Sequence, residues 1–339
     1  MNPMNRRSFL ALSASLAATS CSRRHSELQT LRVSAASSYP TLAAFYLARE
    51  LGYFEAAGFR LDIQQNSYAT QAIPLLSGGK LDVAFNSLSP AFFNAVARGA
   101  RIRIVAGREI VTPGPNDCTL YGYRPAFPRG LTNLKELTGK RIAVRGKAVV
   151  AEYWLDAMLD HAGLTEKDVR VVYLDHAESI AAIRQGKVDA MVSAFFLDRS
   201  FAALEPSLVL GVRISDILPN SQFSHVLFGQ KLLDGPTETG GRFLAAYLHG
   251  VWSFARGRSP KFLDDLAKSS GWDLQRTREA CRSTVPLGGS IDMPSLEHFA
   301  DWAVRKGYCQ PGAKISDCVD TRFLEEAHRL LPHRRRSNA

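Results

Sequence analysis

The 339-residue sequence contains no G-x-S-x-G, H-E-x-x-H or G-x-x-x-x-G-K-[ST], and no G-x-G-x-x-G follows a strand-like run. Nucleophile-elbow hydrolysis, zinc proteolysis, P-loop phosphate binding and dinucleotide binding therefore have no motif to rest on. Its five cysteines form no C-x-x-C pair, so zinc-ribbon and dithiol redox sites lack their ligands. The eight histidines are scattered, and only His328 and His333 lie near each other, where solvation explains them better than metal binding. No apolar run reaches the ~20 residues needed to span a bilayer. The formal charge of +10 comes from basic residues interleaved with acidic ones, without an aromatic-basic stripe, which gives no footprint for nucleic acid. The expectation is a chain without catalysis, metal or cofactor.

What is present begins with an export-type segment over residues 1–21. Arg6-Arg7-Ser8-Phe9-Leu10 fits a twin-arginine signal, and the apolar run from Phe9 to Ala18 is too short for a membrane span. Ala18-Thr19-Ser20-Cys21 resembles a lipobox, although Leu is usual where Ala18 stands, so Cys21 is the expected lipidation site and a lipid the expected sole membrane contact; ordinary cleavage after an A-x-A-like site or an uncleaved anchor is the alternative. Residues 22–30 form a polar linker. The basic tail 331–339, with Arg334, Arg335 and Arg336, reads as a solvated end. Cys309 and Cys318 flank "QPGAKISD", whose Pro-Gly turn could bring them together in a disulfide; the alternative is three or four buried thiols in the body.

The body is long enough for two lobes. "LRVSAAS", "FRLDIQQ", "LDVAFNS" and "RIRIVAGREI" read as strands, alternating with helical stretches "PTLAAFYLARELGYFEAAG", "YATQAIPLLSGGK" and "PAFFNAVARGA". A second series follows with strands "GKRIAVRG", "DVRVVYLD" and "VDAMVSAF" and helices "VVAEYWLDAMLDHAGL" and "AESIAAIRQGK"; five further helices close the chain. Such βαβ alternation implies an α/β fold with sheets of parallel type covered by helices on both faces. "GGKLDVAFNS" and "QGKVDAMVSA" make the same statement twice. Each Gly-Lys ends a helix, and Asp82 and Asp189 read as backbone-bonding residues at a strand edge.

In order along the chain, "LARELGYFEAAGFRLDI", "LLSGGKLDVAFNSLSP", "LKELTGKRIAV" and "AIRQGKVDAMVS" resemble the solute-binding components of ABC importers, in the group for nitrate, aliphatic sulfonates, taurine and pyrimidine precursors. The resemblance covers about residues 31–200. It implies a two-lobed periplasmic-binding-protein fold of type II, each lobe a doubly wound mixed sheet flanked by helices, with lobe 1 over 31–115 and 222–330 and lobe 2 over 116–221. It also implies a monomeric periplasmic protein that traps a small solute and docks on permease subunits. A pyrimidine-forming enzyme or a ligand sensor on the same fold is the alternative.

Candidate binding residues lie where strands run into helix starts, the usual ligand edge of such sheets. They are Ser37, Ser38, Tyr39, Tyr68, Asn86, Ser87 and Ser89 in lobe 1, and Arg145, Gly146, Lys147, Ser193, Phe195 and Phe196 in lobe 2. Hydroxyls and amides would hold a head group, and aromatic faces a flat or aliphatic part. Family members usually carry Gly-Ser or Gly-Thr at the position of Gly146-Lys147-Ala148. With Arg145 and Lys147 beside a helix start, an anionic, sulfonate-like head group is favoured; the alternative is that both side chains point to solvent.

Overall fold

The computed structural model describes residues 27–35, 42–64, 69–114, 117–193, 206–270, 273–280, 284–311 and 314–331. The first sheet holds β1 (Gln29–Ser34), β2 (Phe59–Gln64), β3 (Val83–Ser87), β4 (Arg103–Gly107) and β10 (Ser224–Phe228) in the order β2-β1-β3-β10-β4. The second holds β5 (Thr119–Tyr123), β6 (Arg141–Val144), β7 (Arg170–Tyr173), β8 (Ala190–Ser193) and β9 (Leu208–Arg213) in the order β7-β6-β8-β5-β9. The orders are one pattern used twice. In each sheet the fourth position is taken by an antiparallel strand, β10 between β3 and β4 and β5 between β8 and β9. Those two strands make the sheets mixed, where the alternation of the sequence alone implied parallel pairing. β5, β9 and β10 were not legible as strands because short runs such as "TLYGY" sit between Pro- and Gly-rich turns.

The helices are α1 (Ala43–Glu50), α2 (Tyr53–Ala56), α3 (Ala69–Ser77), α4 (Pro90–Ala97), α5 (Val150–His161), α6 (His176–Arg184), α7 (Gln230–Leu233), α8 (Thr237–Ala255), α9 (Lys261–Ser270), α10 (Leu274–Ala280), α11 (Met293–Arg305) and α12 (Arg322–Leu330). Gly79 and Gly186, at φ +65° and +64°, end α3 and α6 as the sequence predicts. Pro74 is tolerated inside α3, and Pro90 opens α4, where its missing N–H costs nothing. One apolar core lies under α1, α8 and α12. A second runs from the first sheet through α4 and α11 to α5 of the second sheet, with Tyr153 edge-on to Phe299 at 5.2 Å and Trp154 to Phe223 at 5.1 Å. Cys118, Cys309 and Cys318 are buried thiols, so the thiol reading of the last two is the one observed; Cys281 lies outside the described residues.

The chain passes between sheets twice, and the passages pair. Val111 N–H donates to Ser221 O (2.8 Å), Asn220 N–H to Val111 O (3.0 Å) and Phe223 N–H to Glu109 O (3.1 Å), around an antiparallel bridge between Ile110 and Gln222. Two adjacent, paired crossing segments thus join the sheets.

α8 crosses α1 at Gly250. A Cβ there would fall 2.3 Å from Ala44 O and 2.6 Å from the Ala48 Cβ, and the obstacle is another helix backbone. Gly250→Ala is therefore expected to destabilise by about 2 kcal/mol, against the roughly 1 kcal/mol gain that the same change brings in an open helix. Urea unfolding decides it: a stabilised variant would mean that α1 gives way freely.

Candidate functional site

Each sheet presents its strand ends to helix starts. In the first, β3 ends at Asn86-Ser87, and Ser89 caps α4 with extended backbone (φ −154°, ψ 146°). Ser89 is fully buried, yet its hydroxyl has no hydrogen-bond partner among the described residues. Asn86 is buried as well; its Nδ2 donates to Ser87 O at 3.1 Å. In the second sheet, Ser193 at the end of β8 repeats the arrangement with a buried hydroxyl lacking a partner among the described residues. A buried hydroxyl without a partner has paid its desolvation and gains by meeting a polar group.

Beside β3, the sheet edge carries a charged cluster that sequence reasoning missed. Arg108 follows β4 and is buried; its Nη1 donates to Ser224 Oγ at 2.8 Å, its guanidinium lies 5.5 Å from the Phe85 ring centre, and Nη2 stands 3.5 Å from Glu109 Oε2. Ser224 Oγ in turn donates to Asn86 O at 3.2 Å. Next to Ser224, buried His225 shares a 3.0 Å hydrogen bond between Nε2 and Gln222 Oε1. Burial first, then the Arg108 charge, holds this imidazole down to about 3. "AGRE" gave one signal, a charged pair directly after an apolar strand; Ser224 and His225 come from a strand that carried none.

On the second sheet, Gly146 takes φ +100° and Ala148 φ +57°, so the turn after β6 is sharply folded before α5 begins. The amide of Ala148 donates to Glu152 Oε2 at 2.6 Å. Glu152 Oε1 accepts from Tyr173 OH at 2.6 Å and Tyr308 OH at 2.9 Å, and Lys306 Nζ stands 3.8 Å away. Burial, and then the bond to Glu152, pushes the Tyr308 phenol up to about 12, so it stays a donor at neutral pH. Lys147 is exposed, with Nζ 5.8 Å from the Tyr308 ring centre. The turn expected to wait for an external anion thus already holds a carboxylate of its own chain. An acidic residue in the first turn of "VVAEYWL" was the available signal; Tyr308, more than 150 positions away, was not.

Ser37, Ser38, Tyr39, Tyr68, Phe195 and Phe196 lie outside the described residues, as does Cys21. The described candidates form two groups, Asn86, Ser87 and Ser89 on the first sheet and Arg145, Gly146, Lys147 and Ser193 on the second. Among the described residues no group of three or more His, Cys, Asp or Glu could hold a metal ion, and no helix is long and apolar enough to cross a membrane.

Two helix-flanked mixed sheets joined by paired crossings define the periplasmic-binding-protein fold, and comparisons agree. Residues 39–198 match the family model described as NMT1/THI5 like. No curated protein matches the sequence. Among solved structures, the alkanesulfonate-binding protein SsuA of Xanthomonas axonopodis pv. citri, bound to MOPS, is 20% identical over 87% of this chain and 99% of its own, with a TM-score of 0.67. The periplasmic aliphatic sulphonate binding protein SsuA of Escherichia coli is 19% identical over 86% and 92%, with a TM-score of 0.70. The periplasmic nitrate-binding protein NrtA of Synechocystis PCC 6803 is 11% identical over 90% and 89%, with a TM-score of 0.64. At such identities the likeness fixes the fold.

Proposed function

We propose that this chain is the exported solute-binding component of an ABC importer, which captures a small organic anion of sulfonate type between two lobes and performs no catalysis. Lobe 1 comprises residues 31–115 and 222–330, and lobe 2 residues 116–221. In this reading the protein is a periplasmic monomer, held at the membrane only by a lipid on Cys21, that delivers its solute to permease subunits. The observation that carries the reading is a pair of buried hydroxyls at the carboxyl edges of two sheets, Ser89 in one and Ser193 in the other, each without a partner among the described residues. Two matching edges linked by a bendable double crossing suit capture by closure. The sulfonate- and nitrate-binding neighbours support an anion as cargo.

Calorimetry against a panel of sulfonates, carboxylates and neutral metabolites tests the proposal, with small-angle scattering on the same samples. One anionic solute is expected to bind stoichiometrically, be recovered unchanged and contract the protein. Chemical turnover of the solute would favour an enzyme on this fold, and preference for a neutral or cationic solute would sink the anion reading.

A further inference from the structure

Helix starts attract anions because their first N–H groups lack intrahelical partners and lie at the positive end of the dipole. The two lobes meet that demand differently. At α5 the chain supplies its own anion. Glu152, buried in the first turn, takes three donors: the Ala148 amide and the hydroxyls of Tyr173 and Tyr308. Lys306 provides the counter-charge, and it is itself fixed by Asp156 at 3.1 Å and by Glu166. The C-terminal segment is tied to the same place, since Trp302 Nε1 donates to Asp156 Oδ2 at 2.7 Å. Neither Glu152 oxygen waits for a solute. A second anion at this turn would share the dipole with a fixed carboxylate and be repelled by it.

At α4 the opposite holds. Its eight residues begin with Pro90, and the hydroxyl of its N-cap, Ser89, is buried, makes no capping bond and has no partner among the described residues. Nearby on the same sheet edge, the Arg108 guanidinium is fixed on Ser224, whose hydroxyl donates to Asn86 O.

We infer that Glu152 is a specificity-determining residue that closes the anion seat of the second lobe from within, so that the solute's single anionic group is held by the first lobe at Ser89 and its other end is uncharged. This rests on the solute-binding reading above. The chemical class is an organic monoanion with a neutral tail, and a dianion with a charge at each end is rejected.

Butanesulfonate and butanedisulfonate are the probes, titrated by calorimetry and by amide shifts in 15N-labelled protein. Wild type is expected to bind the monosulfonate at least about tenfold more tightly than the disulfonate, with Glu152→Gln narrowing that gap to within about threefold. The monosulfonate should shift the amides of Ser89 and Ala91 and leave that of Ala148 in place. Ser89→Ala, which leaves the Glu152 cluster intact, should weaken monosulfonate binding about tenfold. A saturable shift of the wild-type Ala148 amide, a gap unchanged in Glu152→Gln, or full affinity in Ser89→Ala overturns the assignment while leaving the solute-binding reading standing. Failure of wild type to bind either sulfonate overturns the sulfonate reading and this assignment with it.

Discussion

Lowering the pH from 6.5 towards 3 is expected to cost the folded protein about 4 kcal/mol through one side chain, His225. The imidazole is buried on β10. Its Nε2 faces Gln222 Oε1, which also accepts the Asp292 amide at 3.0 Å and so requires Nε2 to be the donor. Nδ1 is left buried and without a partner among the described residues. Protonation would add a desolvated charge near Arg108, which is why the folded value falls to about 3 from 6.5. With the folded value depressed, the unfolded chain binds the proton first. Stability is therefore intact above pH 6.5 and drains away as pH falls through the interval. Asp117 and Asp156, whose carboxyls burial pushes up, act in the opposite sense at the acid end. The clean readout is therefore the difference between wild type and His225→Gln in urea unfolding at several pH values. The variant should be weaker at pH 7 and should lose less on acidification. Parallel pH profiles would show that His225 accepts its proton without strain.

The same histidine shows where sequence reading stops. Its strand, "SHVLF", lies close after "DILPNSQ", and a five-residue run with only three apolar residues beside a turn announces neither its direction nor its neighbours. Only the fold inserts it antiparallel between β3 and β4, placing His225 opposite Asn86. The βαβ units were legible because helices carry their own stops, such as Gly79 or Gly186, and strands such as β3 and β8 are largely buried runs. Those are local signals. The α5 turn was legible in position but its carboxylate was not, since Arg145 and Lys147 stood out by charge, whereas Glu152 gets its phenols from β7 and from the segment after α11. Partners that meet only through tertiary packing leave no trace in spacing.

Removing the carboxylate of Asp82 is expected to cost about 3 kcal/mol, and removing that of Asp189 about half as much. Both belong to the doubled Gly-Lys-x-Asp stretch, and the structure shows what was copied. Asp82 Oδ2 accepts the Arg32 amide at 2.8 Å, Oδ1 accepts Arg32 Nη2 at 2.9 Å, and the same nitrogen reaches Gly79 O at 2.7 Å. In the second sheet Asp189 Oδ2 accepts the Arg141 amide at 2.8 Å, Oδ1 accepts Arg141 Nη2 at 2.7 Å, and that nitrogen reaches Gly186 O at 2.8 Å. In return each aspartate amide donates to its arginine's carbonyl, at 2.8 Å in both. One clip thus fastens β1 to the loop entering β3, and its twin fastens β6 to the loop entering β8. Burial separates them: the Asp82 side chain is 1% exposed and that of Asp189 16%. Without the carboxylate, the Arg32 amide loses its acceptor where water has little access, while the Arg141 site can rehydrate. Lys231, 3.7 Å from Asp82, would lose that counter-charge and keep only its bond to Thr30 O at 3.1 Å among the described residues. Urea unfolding of Asp82→Ala, Asp189→Ala and the double variant measures both costs, which should add because the clips lie in different sheets. A larger loss at Asp189 than at Asp82 would mean that burial does not set the strength of the clip.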